Sequence, residues 1–308
     1  MSKTISSERL ELFIPLLAEA VSRPDEAHPT VRVWKDTNLV GVINSIAGAN
    51  RDALKTTFPP GSAVLLQLER LAWLHPISIT DDKLGRSFFL MEQKAMSEVI
   101  IDPLEIIQAV HPSGVISYFA AVEFHELTTQ PATFFHIALV TDGLPPEVSG
   151  SKTPSDRNPL GTELFGFQGS RCYETKRYRG LTPGVQLRVI GPRTWYRVTT
   201  LEQTLLDTLL QPVRCGGEAV VFEAWEHASE RADFDRMAEY LQAIGRDSLI
   251  RRVAVMLELK GVTLEDSSAL GELLRAVRER VSRETDLIPL LPGLEYRRLA
   301  DKWRVLIP

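Results

Sequence analysis

The residues that could take part in chemistry are spread thinly along this chain of 308 residues. Two cysteines, Cys172 and Cys215, do not form a CxxC pair, and this pattern predicts reduced, half-buried thiols. His136 sits inside an apolar run, which predicts a hydrogen-bonded histidine of a buried strand. None of the histidines has zinc-ligand spacing to another ligand, so we predict no metal and no cofactor. The six histidines are His28, His75, His111, His125, His136 and His227.

Sequence motifs for nucleophilic or phosphate chemistry provide equally little evidence of catalysis. The chain has no GxSxG, HExxH, P-loop or GxGxxG motif. Gly169–Ser170 begins like a nucleotidyltransferase signature, but the following RCYETKRY lacks the paired acidic ligands, so we interpret it as a turn before a strand. Asp207 lies off the apolar arc of its helix, which favours a solvated or hydrogen-bonded side chain. We predict that the protein is not an enzyme; a metal-dependent nuclease acting through Asp207 and Glu223 is the open alternative.

The distribution of charge along the chain is more informative about function than the sequence motifs are. The chain carries 35 Lys+Arg and 40 Asp+Glu, a net charge of -5, which argues against a protein whose whole surface coats nucleic acid. The segment 171–197 reverses this balance, with seven basic residues, one acidic residue (Glu174) and interleaved aromatics. Because alternate residues of a strand share a face, this segment predicts either a surface that binds a partner or nucleic acid, or an ordinary charged sheet face. The partner-binding candidates are Arg171, Lys176, Arg177, Arg179, Arg193 and Arg197.

The first 95 residues read as helices followed by a hairpin. Apolar spacing predicts helices over 7–21, 37–47 and 63–74, with Pro15 kinking the first or moving its start. Two β-rich runs on either side of DDKLGR predict a hairpin over 76–90. Three helices and then a hairpin are typical of a winged helix-turn-helix, so we predict such a domain at 1–95.

The predicted DNA-binding residues of this domain fall into two groups. The third helix offers few side chains for reading bases, and eleven Lys+Arg against eleven Asp+Glu make residues 1–95 formally neutral. Binding would therefore need clustered basic groups before the third helix and at the tip of the hairpin. The expected phosphate contacts are Arg51, Lys55, Lys83 and Arg86, and the expected groove-facing residues are Ser62, Gln67 and Arg70.

Residues 96–308 form the second predicted domain, with a sheet part over 111–198 and a helical part over 199–308. We predict a helix in HPSGVISYFAAVEFHEL, a buried strand in TFFHIALVT, a long loop over 142–161 and four strands up to 198. Helices are expected to begin near 200, 218, 233, 247 and 267, with Gly245 and Gly261 as stops, and a closing strand ends the chain. The predicted fold class is α+β.

One stretch joins the two parts of this second domain. In GPRTWYRVTTLEQTLLDTLLQPVRCGG, an aromatic and basic strand runs into a helix. Thr200 with Gln203, or Thr199 with Glu202, has the spacing of a capping box. Leu201, Leu205 and Leu209 form an apolar stripe that should face the core.

The chain from about 111 to its end resembles the AbiEi-type antitoxins, the regulator half of the type IV abortive-infection toxin–antitoxin systems. The pieces that carry the resemblance are HPSGVISYFAAVEFHELTTQP, FGF at 165–167, RVTTLEQTLLDTLLQPVRCGG, LIRRVAVMLELKG and KWRVLIP. The resemblance rests on their order and spacing together.

The resemblance implies a function in phage defence and partners that are macromolecules. Members of the family carry an N-terminal winged helix-turn-helix that binds inverted repeats in their own promoter, and their C-terminal domain counters a nucleotidyltransferase-like toxin. It therefore implies a transcriptional autoregulator, a possible homodimer on DNA, and no catalytic residues. The alternative is a protein-interaction module whose N-terminal domain does not bind DNA and whose basic sheet docks a partner. With no secretory signal and no apolar stretch of 18 residues, we expect a cytoplasmic protein.

Overall fold

The computed structural model describes residues 7–54, 58–80, 88–91, 100–142, 159–265 and 268–308. The fold class is α+β, with helices and mixed sheets. The chain divides into two compact units. Unit 1 contains residues 1–114, 164–169 and 187–197, and unit 2 contains residues 115–163, 170–186 and 198–308. Most of the loop predicted over 142–161 lies outside the described residues.

Unit 1 begins with helices that alternate with short strands, followed by a further helix before residue 114. Pro15 lies inside the first helix, so it does not mark the start of that helix. The third helix ends at Arg70, four residues earlier than predicted, and Ala72 takes a positive φ of 56° in the turn that follows. The elements are α1 (Ser7–Ala20), β1 (Val33–Lys35), α2 (Asp36–Ala49), α3 (Gly61–Arg70), β2 (His75–Ile77), β3 (Phe88–Leu90) and α4 (Pro103–Val110).

The three short strands of unit 1 form a sheet in the order β1-β3-β2. Both pairings are antiparallel, with Val33 opposite Leu90 and His75 also opposite Leu90 on the other side of β3. The antiparallel pairing expected of the predicted hairpin is therefore confirmed, and its turn, 81–87, lies outside the described residues. Apolar faces of the three helices bury one core, and burial of such side chains is the main stabilising contribution to a unit of this size. Its fully buried members include Phe13, Leu39, Ile43, Val64 and Leu68.

Unit 2 is built on a sheet in which β5 is central. β5 pairs with β7 in parallel from Phe134 opposite Arg171 to Thr141 opposite Tyr178. On its other side β5 pairs with β4 in antiparallel register, and β4 meets β9 in parallel at Ile116 opposite Val198. The strands are β4 (Val115–Ser117), β5 (Phe134–Thr141), β6 (Thr162–Phe167), β7 (Ser170–Tyr178), β8 (Val185–Gly191) and β9 (Thr194–Thr199); β6, β8 and β9 contribute residues to both units.

The helical half of unit 2 begins where it was predicted to begin. Thr200 caps the first of these helices by accepting a hydrogen bond from the Gln203 backbone N–H, at 3.3 Å. Gly245 ends a later helix in the left-handed conformation, at φ 67°. The elements are α5 (Phe119–Phe124), α6 (Leu201–Leu210), α7 (Glu218–Ala228), α8 (Phe234–Ile244), α9 (Asp247–Leu259), α10 (Ala269–Arg280), β10 (Ile288–Pro289), β11 (Arg298–Ala300) and β12 (Val305–Ile307). The last three strands form a small sheet in the order β10-β12-β11.

The helix predicted in HPSGVISYFAAVEFHEL is wrong over its first half. Val115–Ser117 form strand β4, and only Phe119–Phe124 are helical. The apolar residues of this segment satisfy a helical spacing, but Val115 and Ile116 are β-branched and are buried between β5 and β9. The change from strand to helix takes place at Tyr118.

Candidate functional site

The outer face of α3 is the first candidate site. Ser62, Leu66 and Arg70 are exposed, and because they are four residues apart they lie along one face of the helix. Gln67 is half-buried beside them. The opposite face holds the buried Val64, Leu65 and Leu68, which fix the helix to the core of unit 1. The sequence-predicted residues Ser62 and Arg70 are therefore brought together on one accessible face.

The contact between α2 and α3 depends on a glycine at the start of α3. The Gly61 backbone N–H donates to Asn44 Oδ1 at 3.0 Å. A Cβ added at Gly61 would lie 2.8 Å from Asn44 Oδ1 and 3.0 Å from the carbonyl oxygen of Val40. Only a residue without a side chain therefore allows the two helices to approach this closely.

Gly61→Ala is expected to destabilise the protein by about 1–3 kcal/mol, because the methyl group must displace Asn44 or the Val40 backbone. Gly41→Ala is the matched control: Gly41 lies in the interior of α2, and a Cβ there meets nothing within 4 Å. That change should stabilise by about 0.5–1 kcal/mol, since alanine favours a helix. Urea unfolding followed by circular dichroism measures both. Equal midpoints for the two variants would contradict the close crossing.

Of the four predicted phosphate contacts, the structure describes one. Arg51 is exposed in the turn after α2. Lys55, Lys83 and Arg86 lie outside the described residues, so the predicted basic cluster stays a prediction.

The second candidate site is an ion pair in the interior of unit 2. The guanidinium of Arg177, on β7, donates from both terminal nitrogens to the two carboxylate oxygens of Asp207, on α6, at 2.5 Å. The exposed fractions of the two side chains are 5% and 1%. Thr182 Oγ1 accepts from Arg177 Nε at 2.9 Å, and Gln203 Nε2 donates to Asp207 at 2.9 Å. Burial lowers the pKa of Arg177, but Asp207, with smaller contributions from Tyr118 and Cys215, outweighs burial, and the net pKa is raised.

This geometry corrects one expectation from the sequence and decides another. Arg177 was predicted as a partner-binding residue, but its side chain is buried and its charge is paired, so it does not belong to an accessible docking surface. Asp207 was predicted to be solvated or hydrogen-bonded, and it is hydrogen-bonded and buried, because Arg177 and Gln203 donate to both of its oxygens. Asp207 stands away from the leucine stripe of α6 because it faces this partner.

Tyr118 connects the ion pair to a second cation. The guanidinium carbon of Arg177 lies 5.0 Å from the centre of the Tyr118 ring, and that of Arg214 lies 5.4 Å from it. Tyr118 has φ 61° and ψ −132°, a conformation that favours glycine. Arg214 also donates from Nε to the carbonyl oxygen of Pro159 at 2.8 Å. Tyr118 and Arg214 were missed in the sequence, because a helical assignment over 111–127 hides the residue at which strand becomes helix.

His136 lies beside the Tyr118 ring, with ring centres 5.3 Å apart. It is fully buried, and its Nε2 is 2.9 Å from the carbonyl oxygen of Leu160. The prediction of a hydrogen-bonded strand histidine is confirmed. Burial, opposed by the hydrogen bond to Leu160 and aided by the charge of Arg214, lowers the pKa of His136 to about 3. Its ring is therefore neutral at pH 7, with the proton on Nε2 and no partner for Nδ1 among the described residues.

Three further side chains that could take part in chemistry are Cys172, Cys215 and Glu223. Both cysteines are free and fully buried, rather than half-buried as predicted. Burial raises the pKa of Cys172 to about 12 and raises that of Cys215 well above its ordinary value, so both thiols keep their protons. Glu223 accepts hydrogen bonds from Thr128 and Thr129, which lower its pKa to about 2. Asp207 and Glu223 are thus each engaged by separate structural partners.

The other predicted partner-binding residues differ in their exposure and in the groups they contact. Arg171 pairs with Glu163, and Arg179 pairs with Asp142 at 2.7 Å on the surface of unit 2. Lys176 is exposed, whereas Arg197 is half-buried. In unit 1, Arg193 donates to the carbonyl oxygens of Val31 and Met91, both at 3.0 Å. Partner binding by these residues stays a prediction, with Arg171, Lys176 and Arg179 the more exposed of them.

Described helices of this protein all fall short of the length and apolar content that crossing a membrane requires. Within the described residues, no group of three histidine, cysteine or acidic side chains is arranged to hold a metal ion.

Comparison with known proteins adds information about the fold. No protein-family model and no curated protein matches the chain. The chain is similar in structure to the RV2827C protein of Mycobacterium tuberculosis, with a TM-score of 0.52 and 15% sequence identity. The match covers 99% of this chain and 93% of that one. At this identity the likeness concerns the fold alone.

Proposed function

We propose that the protein is a non-enzymatic regulator that binds promoter DNA through unit 1 and acts as the antitoxin of a nucleotidyltransferase-like toxin. The observation that carries the DNA-binding part is the element order α1-β1-α2-α3-β2-β3 with the antiparallel sheet order β1-β3-β2. This succession of elements is typical of a winged helix, and in such a domain α3 would be the recognition helix.

The exposed side chains of α3 suit that role chemically. Arg70 can donate two hydrogen bonds to a guanine or a phosphate, and Ser62 can donate or accept at a base edge. Leu66, whose side chain is 53% exposed, offers apolar contact to a thymine methyl group. Arg51 is exposed after α2, and its guanidinium could contact a phosphate. A dimer would bring two such helices to the two halves of an inverted repeat.

The antitoxin part is supported by the sequence resemblance over 111–308. The stretch RVTTLEQTLLD, which carries much of that resemblance, ends at Asp207 in the buried ion pair. Asp207 therefore joins α6 to β7 through Arg177, and this pairing stabilises the domain. A neutral His136 and two protonated cysteines are poorly suited to acid–base or nucleophilic catalysis at pH 7, which agrees with a protein that acts by binding. We place this activity in the cytoplasm.

The DNA-binding proposal is tested by titrating promoter DNA of the protein's own operon. Arg70→Ala and Ser62→Ala should each weaken binding about 10- to 100-fold, the usual loss for one base contact. Arg280→Gln, an exposed arginine on α10, is the matched control and should change binding less than about twofold.

A salt series provides the independent readout. Four phosphate contacts predict a slope of log K against log salt of about -3.6, and Arg51→Ala should reduce its size by about one. A native slope near zero would contradict DNA binding.

The formal neutrality of residues 1–95 favours a second candidate, an interaction protein whose unit 1 does not bind DNA. The two candidates differ in one experiment: co-purification with the product of the adjacent gene. Toxin binding without a salt-dependent DNA complex supports the interaction protein, whereas both activities together support the regulator.

A further inference from the structure

Unit 2 has a groove that the proposed function does not use. It lies between α9 and α10, beside the short 3₁₀ helix Asp301–Trp303, and encloses about 290 Å³. Its apolar lining includes Leu257, Val262, Leu264, Leu274 and Trp303. A volume of this size is close to the lower end of small-molecule sites in proteins.

The charges around the groove are unevenly distributed. Among the described residues that line it, Arg275, Arg278 and Lys302 are basic and Glu258 is acidic. Glu258 Oε1 already accepts from Lys302 Nζ at 2.7 Å and from Trp303 Nε1 at 2.9 Å. The charges of Lys302 and Glu258 therefore compensate each other within the groove.

Arg278 is the cation with the clearest capacity for a ligand. Its side chain is half-buried along the groove, and the described residues place no carboxylate within ion-pairing distance of it. A guanidinium beside an apolar wall is partly desolvated, so an anion held there gains a stronger interaction than at a fully exposed site.

We propose that this groove binds a small anionic amphiphile, a molecule with an apolar body and one negatively charged head group. The apolar body would lie against Leu257, Leu274 and the neighbouring side chains, and the head group would accept hydrogen bonds from Arg278. The proposal does not depend on the proposed function, because it is argued from the residues that line this groove alone.

The test uses four probes with the same eight-carbon chain: octanoate, octyl phosphate, octanol and octyltrimethylammonium, titrated into the full-length protein by calorimetry. Octanoate or octyl phosphate should bind with a Kd of about 1 mM or tighter, and octanol and octyltrimethylammonium at least about tenfold more weakly. The stronger of the two anions identifies the head group. Equal binding of all four probes, or binding of none, would overturn the proposal.

Two variants test whether the anion binds in this groove. Arg278→Gln should weaken binding of the anion about tenfold, the loss of one charge-assisted hydrogen bond, and Leu274→Glu should abolish it by placing a carboxylate in the groove. Arg280→Gln changes an arginine of the same helix that pairs with Asp247 outside the groove, and should leave binding within about twofold. Unchanged affinity in both Arg278→Gln and Leu274→Glu would show that the anion binds elsewhere.

Discussion

Asp207→Asn is expected to destabilise the protein by about 3–5 kcal/mol, the largest effect of any single substitution considered for this chain. The change keeps the size of the side chain but removes the charge that compensates Arg177. Arg177 would then remain buried with a guanidinium that has lost its counter-charge. The free energy of unfolding, measured by urea denaturation at pH 7, reports the loss.

A double variant separates the charge from the packing. Arg177→Met combined with Asp207→Leu replaces both charges by apolar side chains, and should recover most of the stability lost in either single variant. The exposed pair Arg179–Asp142 is the control, since its side chains are 71% and 87% exposed. Asp142→Asn should cost less than about 1 kcal/mol. A loss as small as this for Asp207→Asn would contradict the proposed structural role of the buried pair.

The helix that carries Asp207 shows how far the sequence predicts this fold. The leucine stripe and the Thr200 cap are local patterns, and both appear in α6 as predicted. The partner of Asp207 is not local: Arg177 lies thirty residues earlier, on a strand. Burial of an acidic residue depends on such a partner, so the sequence of α6 alone leaves open whether Asp207 is solvated or hydrogen-bonded.

Tyr118 illustrates a different limit. Its positive φ is imposed by the need to pass from β4 into α5 while Val115 and Ile116 stay in the sheet. Local preference disfavours that conformation in a tyrosine, so the segment reads as a continuous helix when the sheet is unknown. The first half of the segment is a strand instead because β4 pairs with β5 on one side and with β9 on the other. Two cations stacked on the tyrosine ring then contribute to holding the conformation.

The unfolding free energy is also expected to fall as the pH is lowered, through His136. Its pKa is about 3 in the folded protein, whereas the ordinary value in an unfolded chain is 6.5. Between these values the unfolded state binds one more proton than the folded state, so stability rises with pH in this window. The contribution of His136 is complete above pH 6.5 and is lost at about 1.4 kcal/mol per pH unit as the pH falls toward 3.

His136→Gln isolates this contribution from that of the carboxylates. The glutamine amide can still donate to the carbonyl oxygen of Leu160, but it does not titrate. Between pH 7 and pH 5 the native protein should lose about 2 kcal/mol more stability than the variant. His227→Gln, which changes an exposed histidine on α7, should follow the native curve. If His136→Gln also follows that curve, then the buried ring does not stay neutral in the folded protein, and its close packing against Tyr118 and the cation of Arg214 must relax as the pH falls.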